Sequence, residues 1–194
     1  MLIGKKAPDF SCLAVVNGVI KDSSLQDYAG RMKVLVFYPL DFSFVCPTEL
    51  HAFQDMLATF SEKNAVILGI SVDSVYSHLA WCEKPKKMGG LEGVSFPLLS
   101  DITKTISRSY GVLDEEKGFA ARGLFIIDTD DIIQHIEINN VSIGRNTAEV
   151  IRLLDAIAFV KKHGEACPIN WTAGSDGLKQ TEQGVIDYFS TKKS

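Results

Sequence analysis

One thiol stands where it could do chemistry. Cys46 lies in "YPLDFSFVCPTEL" (residues 38–50), between an apolar strand-like run and Pro47. Proline suits the first turn of a helix, where its missing N–H is not needed. Cys46 is therefore expected at a helix N-terminus, where free backbone N–H groups and the positive dipole end stabilise a thiolate. Its neighbours add chemistry. Ser43, three residues earlier, can turn its hydroxyl to the sulfur or to a substrate oxygen. Pro39 offers a rigid apolar wall. Glu49, in the first helical turn, can hold a cation. Arg122, in "FAARGLF", opens a second strand-like run and can reach the same mouth. These groups suit attack by sulfur on an electrophilic atom; were that atom a peroxide oxygen, a guanidinium, a hydroxyl and backbone N–H groups could stabilise the departing oxygen. The product would be a sulfenic acid.

The other cysteines are Cys12, Cys82 and Cys167. No CxxC pair occurs, which disfavours a thioredoxin-type dithiol reductase. The spacing fits no zinc knuckle or ribbon, and the four histidines form no HExxH motif. No metal or cofactor is expected. Cys12 and Cys82 are read as structural or incidental thiols, and Trp81 and Trp171 as packing residues. Phe42 and Phe44 are read as site walls or interface contacts.

The elements that must position Cys46 follow from periodicity. "KVLVFYPL" and "AVILGISVD" are continuous apolar runs, suiting strands buried on both faces. Leu50, Phe53, Leu57 and Phe60 recur at three and four, one face of a single amphipathic helix. "SVYSHLAWCEK" reads as a helix and "PKKMGGLEGVSF" as a loop. "DITKTISRSYG" reads as a helix capped by Asp101 and stopped at Gly111. "GLFIIDTDDIIQHIEI" reads as a hairpin. "NTAEVIRLLDAIAFVKKHG" reads as a helix whose face carries Val150, Leu153, Leu154 and Ile157. This order implies an α/β chain with a mixed central sheet flanked by helices. It is the order of a thioredoxin-like fold with an N-terminal insertion around Cys12–Lys21. From Glu165 the sequence turns polar, turn-rich and weakly periodic, giving a core of 1–164 and a C-terminal arm of 165–194. Its basic end, "TKKS", is expected to be solvated.

Composition narrows the partners. With 46% hydrophobic and 23% charged residues over 194 positions, the chain is of ordinary globular type. It is long enough to bury roughly 70% of its unfolded surface without disulfides or metal. The net charge of −4 has no basic stripe, so no nucleic acid is expected. The apolar runs are too short to span a bilayer, and "MLIGKKAPDF" lacks a signal-peptide core. A cytoplasmic location is expected.

Four separated segments carry a resemblance that covers nearly the whole chain. "PLDFSFVCPTE" resembles the peroxiredoxin signature of Pro, three residues, Thr or Ser, two residues and Cys. "RGLFIID" resembles that family's arginine segment, "GEACPINW" its resolving-cysteine segment and "DYFSTK" its C-terminal Tyr-Phe motif. The chain is identified as resembling the typical two-cysteine peroxiredoxins. The resemblance implies that Cys46 is the peroxidatic cysteine and that Pro39, Ser43 and Arg122 line the peroxide site. Glu49 would orient the arginine, with Arg145 in the same network. Cys167 would resolve the sulfenic acid across subunits, and thioredoxin or a related dithiol protein would reduce the disulfide. Homodimers assembling into decamers are implied. A binding role, as a holdase or peroxide sensor, is the alternative class. The chain departs from the family at Ser43, where many members have Thr, and at Glu92, which replaces the last glycine of a GGLG motif.

Overall fold

The computed structural model describes residues 1–191, so the basic end at 192–194 lies outside the described residues. Nine strands and six α-helices follow in chain order among the described residues. They begin with β1 (Ser11–Val16), β2 (Val19–Ser24) and β3 (Met32–Phe37), then α1 (Cys46–Asp55), α2 (Leu57–Glu62) and β4 (Ala65–Ser71). Next come α3 (Val75–Glu83), β5 (Leu98–Ser100), α4 (Thr105–Ser109), β6 (Leu113–Asp114) and β7 (Phe119–Ala120). The last are β8 (Arg122–Ile127), β9 (Ile133–Asn139), α5 (Thr147–His163) and α6 (Glu182–Thr191).

The main sheet has the order β2-β1-β5-β4-β3-β8-β9, with β3–β4 and β4–β5 parallel and the other neighbours antiparallel. It is the mixed sheet expected, with β8–β9 as the hairpin. Every residue of β3 and β4 is buried, which explains why they read as unbroken apolar runs. Leu35 and Phe37 point into a core with Phe10, Tyr110, Phe125 and Ile127. Lys33 is fully buried in β3 and is ion-paired to Asp131. The expected N-terminal insertion is the β1–β2 hairpin, which extends the sheet at one edge.

Two expectations are corrected. The apolar face from Leu50 to Phe60 belongs to two helices, not one, broken at Met56. Asp101 is not the N-cap of the next helix; α4 begins at Thr105 after Lys104. The Asp101 carboxylate still serves that end, accepting from Ile106 N (3.0 Å) and Ser107 N (2.7 Å). In the arm, ten residues form α6. Gly184 and the β-branched Val185 and Ile186 weakened its helix signal.

Two compact units arise, Met1–Thr147 and Ala148–Ser194. In the second, Val150 and Leu154 of α5 are buried. Arg152 holds Glu149 and donates to Trp171 O (2.9 Å), while Phe159 packs on the buried Trp171. Trp81 is fully buried in the first unit, so both tryptophans are packing residues.

Candidate active site

The chain leaves β3 at Phe37 and turns through residues 38–45 before α1 begins at Cys46. Phe42 adopts a left-handed φ of +57°, uncommon for a bulky residue. Its ring packs against Trp81, with Lys84 Nζ 5.4 Å from its centroid. Phe44 is 95% exposed and Phe42 half-exposed, so Phe44 is not a wall of the site. Val45 caps α1, and Thr48 Oγ1 donates back to Val45 O (2.6 Å). Cys46 is the first helical residue, with Pro47 next, as the sequence implied, and it is fully buried.

The register of β8 on β3 pairs Val36 with Leu124. Arg122 stands two residues from Leu124, at the first position of β8. The Arg122 Nη1 donates to Cys46 Sγ (3.4 Å) and to Glu49 Oε2 (2.7 Å), while its Nε donates to Val141 O (2.7 Å). Arg145 completes the cluster. Its backbone N and Nε donate to Glu49 Oε1, and its Nη2 donates to Oε2, all at 2.8 Å. Its Nη1 donates to Phe37 O and Gly123 O, each at 2.7 Å. Sequence reasoning missed these three carbonyl anchors, because backbone acceptors carry no residue signature.

Two buried guanidiniums face one carboxylate, so one positive charge is left uncompensated beside the sulfur. Burial alone would raise the Glu49 carboxyl, but its hydrogen bonds and charge pairing with Arg145, aided by Arg122, hold it below the ordinary glutamate value. The arrangement can stabilise negative charge on sulfur or on a departing oxygen.

Ser43 differs from expectation. Its hydroxyl donates to Leu40 O (2.6 Å) rather than to the sulfur. A short local acceptor competes well for a serine hydroxyl, and the oxygen lone pairs stay available. Pro39 is buried at the foot of the same loop. Cys167 lies in the second unit, half-buried, its Sγ 3.7 Å from Ala156 O. Burial raises its thiol, and Arg152 partly offsets this.

Cys12 and Cys82 sit in contrasting surroundings. Burial, with Asp101 nearby, pushes the Cys12 thiol up to about 12. Burial, with Asp41 and Glu83, pushes Cys82 up to about 11. Neither has a cationic partner, so both fit the structural role expected. A buried network that the sequence reading missed lies nearby: His78 Nδ1 bonds Asp41 (2.8 Å), and Tyr38 donates to Asp41 (2.9 Å). No metal-holding cluster occurs among the described residues. No helix among them is long and apolar enough to cross a membrane.

Known proteins resemble this chain in sequence and fold. Residues 3–136 match the AhpC/TSA family, and residues 156–191 match the C-terminal domain of 1-Cys peroxiredoxin. The chain is 48% identical over 188 residues to Peroxiredoxin-2 of Bos taurus, covering 97% of this chain and 94% of that one. It is 49% identical over 187 residues to the mitochondrial thioredoxin-dependent peroxide reductase of Homo sapiens, covering 96% and 73%. Its structure matches the reduced 2-Cys peroxiredoxin of Plasmodium vivax with a TM-score of 0.96 at 42% identity, covering 98% and 100%. The chain belongs to the AhpC/TSA family, the peroxiredoxins, and is a thiol peroxidase with their thioredoxin-like fold.

Proposed function

We propose that Cys46 is the peroxidatic cysteine and that hydrogen peroxide and small alkyl hydroperoxides are its substrates. The Cys46 thiolate attacks one peroxide oxygen, forming the S–O bond as the O–O bond breaks. The other oxygen leaves as alkoxide or hydroxide and takes a proton to give alcohol or water. Cys46 is left as sulfenic acid. Arg122 stabilises the departing oxygen, Glu49 and Arg145 hold Arg122 in place, Ser43 orients the peroxide through its oxygen, and Pro39 walls the site. The single observation carrying this reading is the Arg122 Nη1, which donates to both Cys46 Sγ and Glu49 in a buried cluster at the start of α1.

The partner subunit's Cys167 then attacks the sulfenic sulfur. The S–S bond forms and water leaves. Thioredoxin or a related dithiol protein reduces the disulfide; the human relative is named a thioredoxin-dependent peroxide reductase. On this reading, residues 1–164 carry the attacking thiol and 165–194 the resolving one. Homodimers, and decamers built from them, belong to the same reading; Phe44, Tyr76 and Ile138 are among the large apolar side chains left exposed on one chain. Four free cysteines suit a reducing compartment, the cytoplasm.

The test is single-turnover kinetics with hydrogen peroxide. Cys46→Ser should abolish peroxide consumption, and Arg122→Ala should slow sulfenic acid formation about 100-fold or more without unfolding the chain. Wild-type reaction rates in folded Arg122→Ala would overturn the site assignment.

A further inference from the structure

The thiol assigned to resolution sits against one face of α5. Arg152 and Ala156 lie one helical turn apart on that face. Cys167 Sγ lies 3.7 Å from Ala156 O, with the thiol as donor and the carbonyl as acceptor. A thiolate has no proton to give, so this contact favours the neutral form. Further along the same segment, Trp171 O accepts from Arg152 Nη1 (2.9 Å), and the buried Trp171 ring packs on Phe159 with centroids 4.9 Å apart. The segment from Cys167 to Trp171 is thus pinned beside a guanidinium. That guanidinium is itself held in a fork: its Nε donates to Glu149 Oε2 (2.6 Å) and its Nη2 to Glu149 Oε1 (2.7 Å). The peroxide chemistry above uses neither Arg152 nor Glu149.

Attack on the sulfenic sulfur needs a thiolate. Cys167 gives up its proton, the S–S bond forms, and the departing hydroxide takes a proton and leaves as water. No further oxidant or reductant enters. Burial and the Ala156 carbonyl work against that ionisation, and the Arg152 charge works for it. Other titratable groups surround the segment. Asp155 adjoins Ala156 on α5, and His163 stacks on Phe159. Glu165 precedes Cys167 by two residues, and Lys179 follows the Ala166–Leu178 bridge. Asp176 and Asp187 line a cavity with Glu165 and Pro168. Of all these charges, Arg152 is the one that bears on the thiol. We propose that Arg152 is a positioning residue for resolution: it holds the Cys167 segment against α5 and favours the thiolate that attacks, while Glu149, paired with it, holds that effect in check. The inference rests on the assignment of Cys167 as the resolving cysteine made above.

Two variants of the full-length protein separate charge from tethering. Losing either side of the fork loosens the hold on Trp171, so a purely structural role moves Arg152→Gln and Glu149→Gln in the same direction. A charge role moves them in opposite directions. The first measurement is the pH profile of Cys167 alkylation by iodoacetamide in the reduced Cys46→Ser background, read by peptide mapping from about pH 7.5 to about pH 10, above the ordinary histidine range. The second is disulfide formation after one equivalent of hydrogen peroxide in chains that keep Cys46, read by acid quench and non-reducing gel. Arg152→Gln should move the alkylation midpoint up and slow the disulfide about twofold at pH 7.5, as loss of a part-exposed charge does. That deficit should shrink as pH rises toward full ionisation. Glu149→Gln should move the midpoint down and speed the disulfide by a similar factor. Arg152→Lys, which keeps the charge, should restore most of the wild-type profile. Unshifted midpoints, or shifts of one sign in Arg152→Gln and Glu149→Gln, would overturn the inference; if Arg152→Gln does not fold, Glu149→Gln decides it. A wild-type chain forming no Cys46–Cys167 disulfide, whatever the alkylation midpoints do, would instead sink the functional assignment, so the two failures are distinguishable.

Discussion

Glu49 is the residue on which the site's charge balance turns. Removing its carboxylate leaves two buried guanidiniums without an anion, and breaking a buried pair in this way costs about 3–5 kcal/mol. Glu49→Gln should lower the melting temperature and slow sulfenic acid formation together. The pH dependence has a definite sign. The carboxyl is held below the 4.5 of a free glutamate. Its stabilisation is therefore complete above that value and is lost as pH falls through the lower folded value. The melting-temperature advantage of wild type over Glu49→Gln should be constant at neutral pH and should shrink below pH 4.5. A difference unchanged down to the point of acid unfolding would contradict this. The other thiols give a second residue-scale prediction. With thiols pushed up to about 12 and 11, Cys12 and Cys82 should resist iodoacetamide at pH 7.5 in the native protein, as intact mass and peptide mapping would show. At this scale the sequence was most legible. Cys46, Glu49 and Arg122 could be named because their chemistry lies in their side chains. The carbonyls of Phe37, Gly123 and Val141 could not, because they become acceptors only once β3, β8 and the segment after β9 are brought together.

Among the elements, α1 shows how local signals reached the structure and where they stopped. Pro47 marked its start correctly, but the apolar spacing ran on past Met56 and hid the break before α2. Periodicity reports which face is buried, not where the backbone changes direction. The segment around Gly90 was legible only as a loop. Its close backbone packing is what Gly90 permits: a Cβ there would stand 1.9 Å from Lys84 O, a backbone atom. Gly90→Ala should therefore destabilise the protein by about 1–3 kcal/mol, within the range for overpacking, read as a lower denaturation midpoint. An unchanged midpoint would mean that this segment rearranges freely.

For the whole molecule, strand and helix order indicated the mixed sheet and thioredoxin-like fold, since buried strands and a hairpin leave few topologies open. The order of strands across the sheet was not legible, because pairing partners distant in sequence leave no local trace. Nor was the local structure of the arm, whose α6 has three large apolar residues, Val185, Ile186 and Phe189, more than 40% exposed. The assembly carries the central claim, that Cys46 and Cys167 work as a pair between chains. The most direct measurement adds one equivalent of hydrogen peroxide to reduced protein, followed by a non-reducing gel and intact mass, beside Cys46→Ser and Cys167→Ser. The expected result is a covalent dimer that requires both cysteines, with Cys167→Ser stalling as a monomer one oxygen heavier. A wild-type monomer carrying one oxygen, unchanged by Cys167→Ser, would contradict the pair and leave Cys46 acting alone.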